Sequence, residues 1–328
     1  MPRTRIMRFT ATAAALVLAG LTIAGCSPAE QTDPGAGGDP AVPTFPEKDL
    51  RLIIQANPGG GSDLSSRALA AELEGILGVN VIAENMPGAA GALAMEYVAG
   101  QPADGYVIGF APVEIAMLNT TQGANVLPEN YDLLGQIMLA PGVVSVAADS
   151  DIQDLAGLVE KSKAGGVTIA NSGAGSIWEA AALGLARETG GQVTPVPYDG
   201  GAPAVAAAAS KETDAAVSGL GEALAQGDAV RILAVLHTER HPDAQDVPTA
   251  AEAIGADIVF GGWGGIYAPK GLPADVKSTL ESAVKAAVES DSYQAFQASA
   301  GNLVVYRDSS EWTAFVNEQF ALFQDLLG

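Results

Sequence analysis

Three glycine-rich segments are the parts of this 328-residue chain best suited to bind a ligand. Each follows a short apolar run and precedes a helical pattern, so each is predicted to connect a strand to a helix. Glycine lets backbone N–H groups approach a ligand, and a helix start adds unpaired donors and a positive dipole end. An anion could therefore bind there without a lysine. The segments are Pro58-Gly59-Gly60-Gly61-Ser62-Asp63, Asn85-Met86-Pro87-Gly88-Ala89-Ala90-Gly91 and Asn171-Ser172-Gly173-Ala174-Gly175-Ser176.

Several kinds of chemistry are disfavoured by the sequence. The first segment has neither the Lys-Ser/Thr pair of a phosphate-binding loop nor a G-x-G-x-x-G pattern. His237 and His241 have Glu239 between them, but a helical zinc site needs the glutamate directly after the first histidine, and Pro242 follows the second. A solvated loop at a strand end is the interpretation we favour there. No G-x-S-x-G elbow is present. We predict no catalytic residue, no metal site and no cofactor.

Strand and helix patterns alternate from Pro46 onward, which predicts an α/β fold. The helical pattern Leu64 to Leu77 ends at Gly78, and another helix begins near Ala92. The other predicted helices are Asp151 to Ser162, Ile177 to Thr189, an alanine-rich helix to Ala209, Pro273 to Ser290 and Ser309 to Leu327. The predicted strands are Leu50 to Gln55, Val79 to Ala83, Val107 to Ala111, Val143 to Ala147, Val167 to Ala170, Val193 to Val196 and Arg231 to Leu236.

Length and charge limit the possible partners. About 280 residues follow Pro46, which is enough for two lobes with their own cores. The formal net charge is −22, and it becomes −25 without the three arginines nearest the N-terminus, because 13 Lys and Arg then face 38 Asp and Glu. Such a surface repels phosphate backbones, so we predict no nucleic-acid partner.

The N-terminus predicts where the protein works. Arg3, Arg5 and Arg8 precede an uncharged apolar run that is shorter than the roughly 20 residues of a membrane-spanning helix, as in a secretory signal. The run ends at Ile23-Ala24-Gly25-Cys26, which resembles the lipobox of bacterial lipoproteins. We therefore predict a lipoprotein signal peptide over residues 1–25, with an ordinary cleaved signal peptide as the alternative.

Cys26 is the predicted lipidation site. It is the only cysteine in the sequence, so an intramolecular disulfide is excluded. Residues 26–45 are rich in Pro, Gly, Asp and Ala, which predicts a flexible tether between the lipid and the folded part. Together these features predict an extracytoplasmic protein that is lipid-anchored to the cell membrane.

Short motifs in a fixed order resemble the substrate-binding proteins of tripartite tricarboxylate transporters, the Bug family. The opening is Phe45-Pro46-Glu47-Lys48, then the first strand, Pro58 to Asp63, and Arg67. The later motifs are Glu84-Asn85-Met86-Pro87-Gly88-Ala89-Ala90-Gly91, Asp104-Gly105-Tyr106, Pro197-Tyr198-Asp199-Gly200-Gly201-Ala202-Pro203, Val247-Pro248-Thr249 with Glu252, and Trp263 with Ala268-Pro269. They span nearly the whole chain after the predicted tether.

This resemblance implies an α/β fold of the periplasmic-binding-protein type II, with two lobes and a ligand cleft between them. Lobe 1 would comprise residues 46–148 and 264–328, and lobe 2 residues 149–263. Family members are similar in gripping small organic acids with backbone amides and small hydroxyls. Carried over by position, the predicted ligand-binding residues are Gly59, Gly60, Ser62, Asp63, Ala89, Ser172, Gly173, Ser176 and Tyr198.

Some residues near these segments have a second interpretation. Asp63 is also predicted to cap the helix amides and fix its loop. Trp178, Trp263, Tyr198 and Tyr267 could form pocket walls or pack in the core. Asp199 and Glu179 stand where the family often has a basic or polar residue and a histidine. If they face the cleft, a second carboxylate on the ligand would be repelled.

The predicted function is capture of a small carboxylate-containing organic solute by lobe closure, without chemistry. The resemblance implies the large and small integral membrane subunits of a secondary transporter as partners. Membrane contact would come from the lipid anchor, and no cofactor is implied. Two alternatives remain: a ligand-binding module for a sensor system, and an extracellular hydrolase that uses the cleft.

Overall fold

The computed structural model describes residues 45–327. The predicted signal peptide, the lipidation site Cys26 and the tether up to residue 44 lie outside the described residues. None of the helices within 45–327 is long and apolar enough to cross a membrane.

The first half of the fold, which we call lobe 1, is a sheet with helices on both faces. Three parallel strands form it in the order β2-β1-β3, and the antiparallel strand β9 and the first half of β4 extend it. The strands are β1 (Leu50–Ile54), β2 (Val81–Asn85), β3 (Val107–Pro112), β4 (Tyr131–Ala147) and β9 (Gly261–Pro269). The helices are α1 (Gly61–Leu77), α2 (Ala92–Ala99), α3 (Leu118–Gln122), α9 (Ala274–Val288), α10 (Asp291–Ser299) and α11 (Ser309–Leu327).

The second half, lobe 2, repeats the same construction. Its parallel strands run in the order β6-β5-β7, and the second half of β4 joins them next to β7 and also pairs with β8. The strands are β5 (Val167–Asn171), β6 (Val193–Pro197), β7 (Ala215–Gly219) and β8 (Val230–Leu236). The helices are α4 (Leu155–Gly165), α5 (Ile177–Thr189), α6 (Gly201–Ala209), α7 (Leu220–Leu224) and α8 (Ala250–Ile254).

The strands β4 and β9 connect the two lobes. β4 is 17 residues long, and it pairs with β9 from Tyr131 to Pro141 and with β7 and β8 from Gly142 onward. Its register shifts between Leu133 and Gly135, between Gln136 and Met138, and between Val144 and Ser145. The lobes are therefore joined by two continuous antiparallel strands. The predicted boundaries at residues 148 and 264 stay predictions.

Apolar side chains form a core on each face of the sheets. One cluster packs α1 and α9 against β1 and β3 through residues such as Leu52 and Leu280, and another continues from lobe 1 into lobe 2 through Trp178 and Trp263. The alanine-rich helix α6 packs against β5 and β7 through Ala204, Ala207 and Ala208, as its small side chains predict. Small residues allow this close approach because they lack bulk beyond Cβ.

The structure confirms the predicted α/β fold. The helices predicted over 177–189 and 309–327 have the bounds of α5 and α11. The elements that were not predicted include β7, the helices α3, α7, α8 and α10, and the first half of β4, of which only residues 143–147 were predicted. β7 was missed because Ala215-Ala216-Val217-Ser218-Gly219 is a run of small residues with little strand signal.

Candidate functional site

The carboxyl ends of the parallel strands form one edge in each lobe, which is where ligands bind in open α/β sheets. In lobe 1 the segments after β1, β2 and β3 lie there, and in lobe 2 those after β5, β6 and β7. The three glycine-rich segments predicted from sequence occupy three of these six positions.

The strand-end edges of the two lobes come close to each other at two places. A methyl group placed on Gly175 in lobe 2 would lie 3.6 Å from the hydroxyl of Thr121 and 3.6 Å from the side-chain amide of Gln122 in α3. Glu114, which follows β3, faces the backbone N–H of Ile177 at the start of α5. The loop after β5 therefore lies next to the segment after β3.

The loop after β1 is held by Asp63, a residue that is only 2 % exposed. Its Oδ2 accepts from the N–H of Gly59 at 2.9 Å, and its Oδ1 accepts from Asn85 Nδ2 at 2.7 Å and from Arg67 Nε at 2.8 Å. Burial opposes the charge, but the hydrogen bonds from Gly59, Asn85 and Arg67 outweigh it and hold the pKa of Asp63 below its ordinary value. Asp63 thus stays ionised and ties the first loop to the second.

One part of the Asp63 prediction is wrong. Helix α1 begins at Gly61 and its N-cap residue, Gly60, has no side-chain cap, so Asp63 does not cap the helix amides. Its carboxylate bonds backward to the loop instead. Ser62 is half-buried in the first turn of α1, and its carbonyl accepts from Ser66 Oγ at 2.6 Å.

The loop after β2 has an unusual backbone. Ala89 and Ala90 have φ values of 48° and 50°, in the left-handed region. This conformation costs about 1 to 2 kcal/mol per residue with a Cβ atom. Ala89 is exposed at this edge. Two successive strained alanines indicate that the loop's shape is maintained by its surroundings, as is common at ligand sites.

In lobe 2, the loop after β5 is closed by its own side chains. Ser176 is the N-cap of α5, and its Oγ accepts from the N–H of Glu179 at 3.2 Å. Glu179 Oε2 accepts from the N–H of Gly175 at 2.6 Å, and Asn171 Oδ1 accepts from the N–H of Gly173 at 3.0 Å. Ser172 and Gly173 are half-buried between these contacts. Glu179 therefore folds back onto the loop, whereas Asp199 is exposed.

The structure does not bring the Tyr198 hydroxyl to the other predicted residues. Its backbone N–H donates to the carbonyl of Asn171 at 2.9 Å, which places the residue at the strand edge. Its ring packs against the cluster formed by α6, however, and burial together with Glu212 raises the pKa of its hydroxyl. Since Glu212 follows the C-terminal end of α6, the hydroxyl points away from the edge.

Two carboxylates at this edge were missed by the sequence reasoning. Glu222 Oε2 accepts from the N–H of Gly219 at the end of β7 at 2.9 Å, and burial raises the pKa of Glu222. Burial also raises the pKa of Glu114, although its own N–H and that of Ile177 partly oppose the shift. The predicted strand 107–111 pointed to Glu114 as a strand-end residue, but the unpredicted β7 left no signal for Glu222.

His241 and three of the four aromatic residues singled out from the sequence are buried. His241 is buried and its Nδ1 accepts from the N–H of Asp243 at 3.1 Å, so the solvated-loop interpretation is wrong for this residue. Trp178, Trp263 and Tyr267 are all buried in the core. Within residues 45–327, no group of three or more His, Cys, Asp or Glu side chains is placed to hold a metal ion.

A groove of about 590 Å³ lies on another side of the connecting strands. It separates α5 of lobe 2 from α11 of lobe 1, where Arg187 and Asp325 approach to 3.8 Å. Its wall is mostly apolar and includes Ile177, Phe260, Trp263, Phe315 and Leu326. None of the predicted ligand-binding residues lines it.

Comparison with known proteins agrees with this architecture. A sequence profile described as tripartite tricarboxylate transporter family receptor matches residues 65–327. This chain belongs to that family. A UPF0065 protein of Bordetella pertussis is 31 % identical over 268 residues, which cover 77 % of this chain and 80 % of that protein.

Solved structures share the fold. A TctC solute-binding protein from Polaromonas, without ligand, has a TM-score of 0.74 at 25 % identity, covering 86 % of this chain and 99 % of that one. A Rhodopseudomonas palustris protein with adipate has a TM-score of 0.79 at 24 % identity, covering 86 % and 97 %. The family consists of extracytoplasmic solute-binding receptors with the type II two-lobed fold, as the motifs had implied.

Proposed function

We propose that this chain captures a small carboxylate-containing organic solute between its lobes and delivers it to a tripartite tricarboxylate-type secondary transporter. The observation that carries the proposal is that the strand ends of the two lobes lie next to each other, where the loop after β5 approaches α3. The lobes are connected by β4 and β9, and the chain belongs to a receptor family. The adipate in the Rhodopseudomonas structure supports an organic acid as ligand. The chain itself performs no reaction, and its partners are the large and small integral membrane subunits.

In this proposal the ligand lies between the loops after β1 and β2 and the loop after β5. Gly60, Ser62 and Ala89 contact it from lobe 1, and the strained backbone at Ala89 supports that role. The lobe 2 contacts come from the hydroxyls of Ser172 and Ser176, and Gly173 shapes the loop because its N–H donates to Asn171 Oδ1. Gly59, Asp63 and Tyr198 contribute by shaping their loops, since their polar groups are engaged elsewhere.

A thermal-shift screen tests the proposal. The mature protein is heated with organic acids including adipate and succinate, with amino acids and with aromatic acids. A ligand present at 100 times its Kd adds about 2.7 kcal/mol to stability, so we expect at least one compound to raise the Tm by about 5 °C. Calorimetry then measures its Kd. If no compound in the panel raises the Tm, the solute-binding proposal is contradicted.

We also propose that Cys26 carries the lipid that holds the receptor at the outer face of the cell membrane. The lipobox-like residues Ile23-Ala24-Gly25-Cys26 and the single cysteine support this. Two or more acyl chains on one residue would hold the protein stably, because a single chain gives only marginal membrane binding. Mass spectrometry of the mature amino-terminal peptide is expected to show Cys26 as the first residue, with acyl groups. An unmodified Cys26 would contradict the anchor.

A further inference from the structure

Two buried carboxamide side chains occupy equivalent positions in the two lobes. Gln55 is the first residue after β1 and is 9 % exposed, and Asn171 is the last residue of β5 and is 0 % exposed. β1 lies between β2 and β3, just as β5 lies between β6 and β7. Each strand leads through a glycine-rich loop into a long helix, α1 or α5. The two carboxamides therefore stand at matching strand ends, on the edges where the lobes meet.

Gln55 presents an acceptor that nothing satisfies. Its Oε1 is buried and has no hydrogen-bond partner among residues 45–327. Its stem packs against the loop after β2, because a methyl group on Gly91 would lie 2.9 Å from Gln55 Cγ. The carboxamide is thus held beside the strained alanines, Ala89 and Ala90.

Asn171 presents the complementary donor. Its Oδ1 accepts from the N–H of Gly173 at 3.0 Å, and this bond determines which end of the carboxamide is oxygen. Its Nδ2 is buried and also lacks a partner within the described part of the chain. A buried polar group without a hydrogen bond is costly, so such groups in native proteins are commonly met by water or a ligand.

The surroundings of Asn171 disfavour a ligand with two carboxylates. Glu179 and Glu222 already occupy the N–H groups of Gly175 and Gly219, so these amides cannot neutralise a second carboxylate on the ligand. A second ionised carboxylate close to Glu179, which follows the same loop as Asn171, would be repelled.

We propose that Gln55 and Asn171 select a solute that carries at most one carboxylate together with an uncharged group that donates a hydrogen bond, such as a primary amide. The amide N–H₂ donates to Gln55 Oε1, and a carbonyl or carboxylate oxygen accepts from Asn171 Nδ2. This inference rests on the proposed function, since it names the ligand class of the same cleft.

Matched acids and amides test the ligand class. Calorimetry compares succinate with succinamate and adipate with adipamate, each pair differing only in one carboxylate replaced by a primary amide. We expect the monoamide to bind at least about tenfold more tightly than its diacid, the effect of one hydrogen bond gained and one repulsion removed. A diacid that binds as tightly as its monoamide would overturn the selection while leaving the proposed function intact. If other compounds of the panel bind but neither monoamide does, the selection is likewise overturned and the proposed function stands.

Variants test the two side chains. Gln55→Met keeps the length of the side chain and removes the acceptor, so we expect about tenfold weaker binding of the monoamide with an unchanged or higher Tm of the free protein. Asn171→Ser keeps an oxygen that can accept from Gly173 and removes the donor, with a similar loss of affinity expected.

Tyr131→Phe is the matched control. Tyr131 Oη is also buried without a partner within residues 45–327. Tyr131 is the first residue of β4, however, where the strand pairs with β9 and is farthest from lobe 2. We expect wild-type affinity from this variant. Wild-type affinity in Gln55→Met would show that Gln55 bonds only to water, and this would overturn the proposal.

Discussion

Replacing Gly265 with alanine is expected to destabilise the folded protein by about 3 kcal/mol, the upper part of the range for overpacked sites. The added Cβ would lie 2.3 Å from the carbonyl oxygen of Gly135 and 2.7 Å from the indole ring of Trp312. The carbonyl cannot move away freely, because Gly265 and its partner Gln136 belong to the β4–β9 ladder. Trp312 is fully buried and has little room to shift.

Thermal unfolding followed by circular dichroism checks this expectation. A loss of about 3 kcal/mol corresponds to a Tm lower by about 6 °C or more. Gly75→Ala is the control, since Gly75 lies inside α1 with no atom within 4 Å of the added methyl group. This substitution should raise the Tm slightly, by the helix propensity gained. An unchanged Tm for Gly265→Ala would show that the two strands can separate at little cost.

Replacing Gly221 with alanine is expected to weaken ligand binding by tenfold or more while changing the Tm of the free protein little. Gly221 lies in α7 of lobe 2, and an added Cβ would be 2.0 Å from the carbonyl oxygen of Ala300 in lobe 1. Gly301 is also close, since a Cβ added to it would lie 2.8 Å from Gly221 Cα. Because the clash lies between the two lobes, moving the lobes apart relieves it without unfolding either one.

Calorimetry with whichever compound the thermal-shift screen identifies measures this effect. A tenfold loss of affinity corresponds to about 1.4 kcal/mol of binding free energy, which here is the cost of bringing the lobes together against the added methyl group. Gly165→Ala in lobe 2 is the control, because no atom lies within 4 Å of its added methyl group. Full affinity in Gly221→Ala would mean that α7 and the segment after α10 do not approach in the ligand-bound state.

The sequence predicted those helices and strands whose ends and apolar periodicity are determined by neighbouring residues. Helix α5 was predicted with its observed bounds because Ser176 caps it and Gly190 ends it in the left-handed conformation. The first half of β4 was not predicted, since Asp132, Gly135 and Gln136 interrupt the apolar run and the register shifts disturb the alternation. Its partner β9 is distant in sequence, and this pairing stabilises the strand.

The sequence predicted where the candidate site lies better than it predicted which groups of the site are free to bind a ligand. The glycine-rich loops do lie at strand ends, because turns of this kind need residues such as Gly59 and Gly175 with positive φ. The sequence predicted that Asp63 fixes its loop, but not that Glu179 turns back onto the N–H of Gly175, since side-chain direction depends on tertiary contacts. Neither Gln55 nor Asn171 was predicted to bind the ligand, because the cost of burying a polar group is visible only once its neighbours are known.

In the proposed lobe closure, the register shifts in β4 are the points at which the two lobes would rotate. A regular antiparallel ladder resists bending, whereas an extra residue on one strand leaves local backbone groups unpaired and increases the twist. The shifts at 133–135 and 136–138 lie along the pairing with β9, and that at 144–145 lies within lobe 2. Rotation concentrated at these points would act as a pivot inside the sheet itself. The same rotation would widen or narrow the groove between α5 and α11, so the far surface of the molecule would change shape with ligand occupancy.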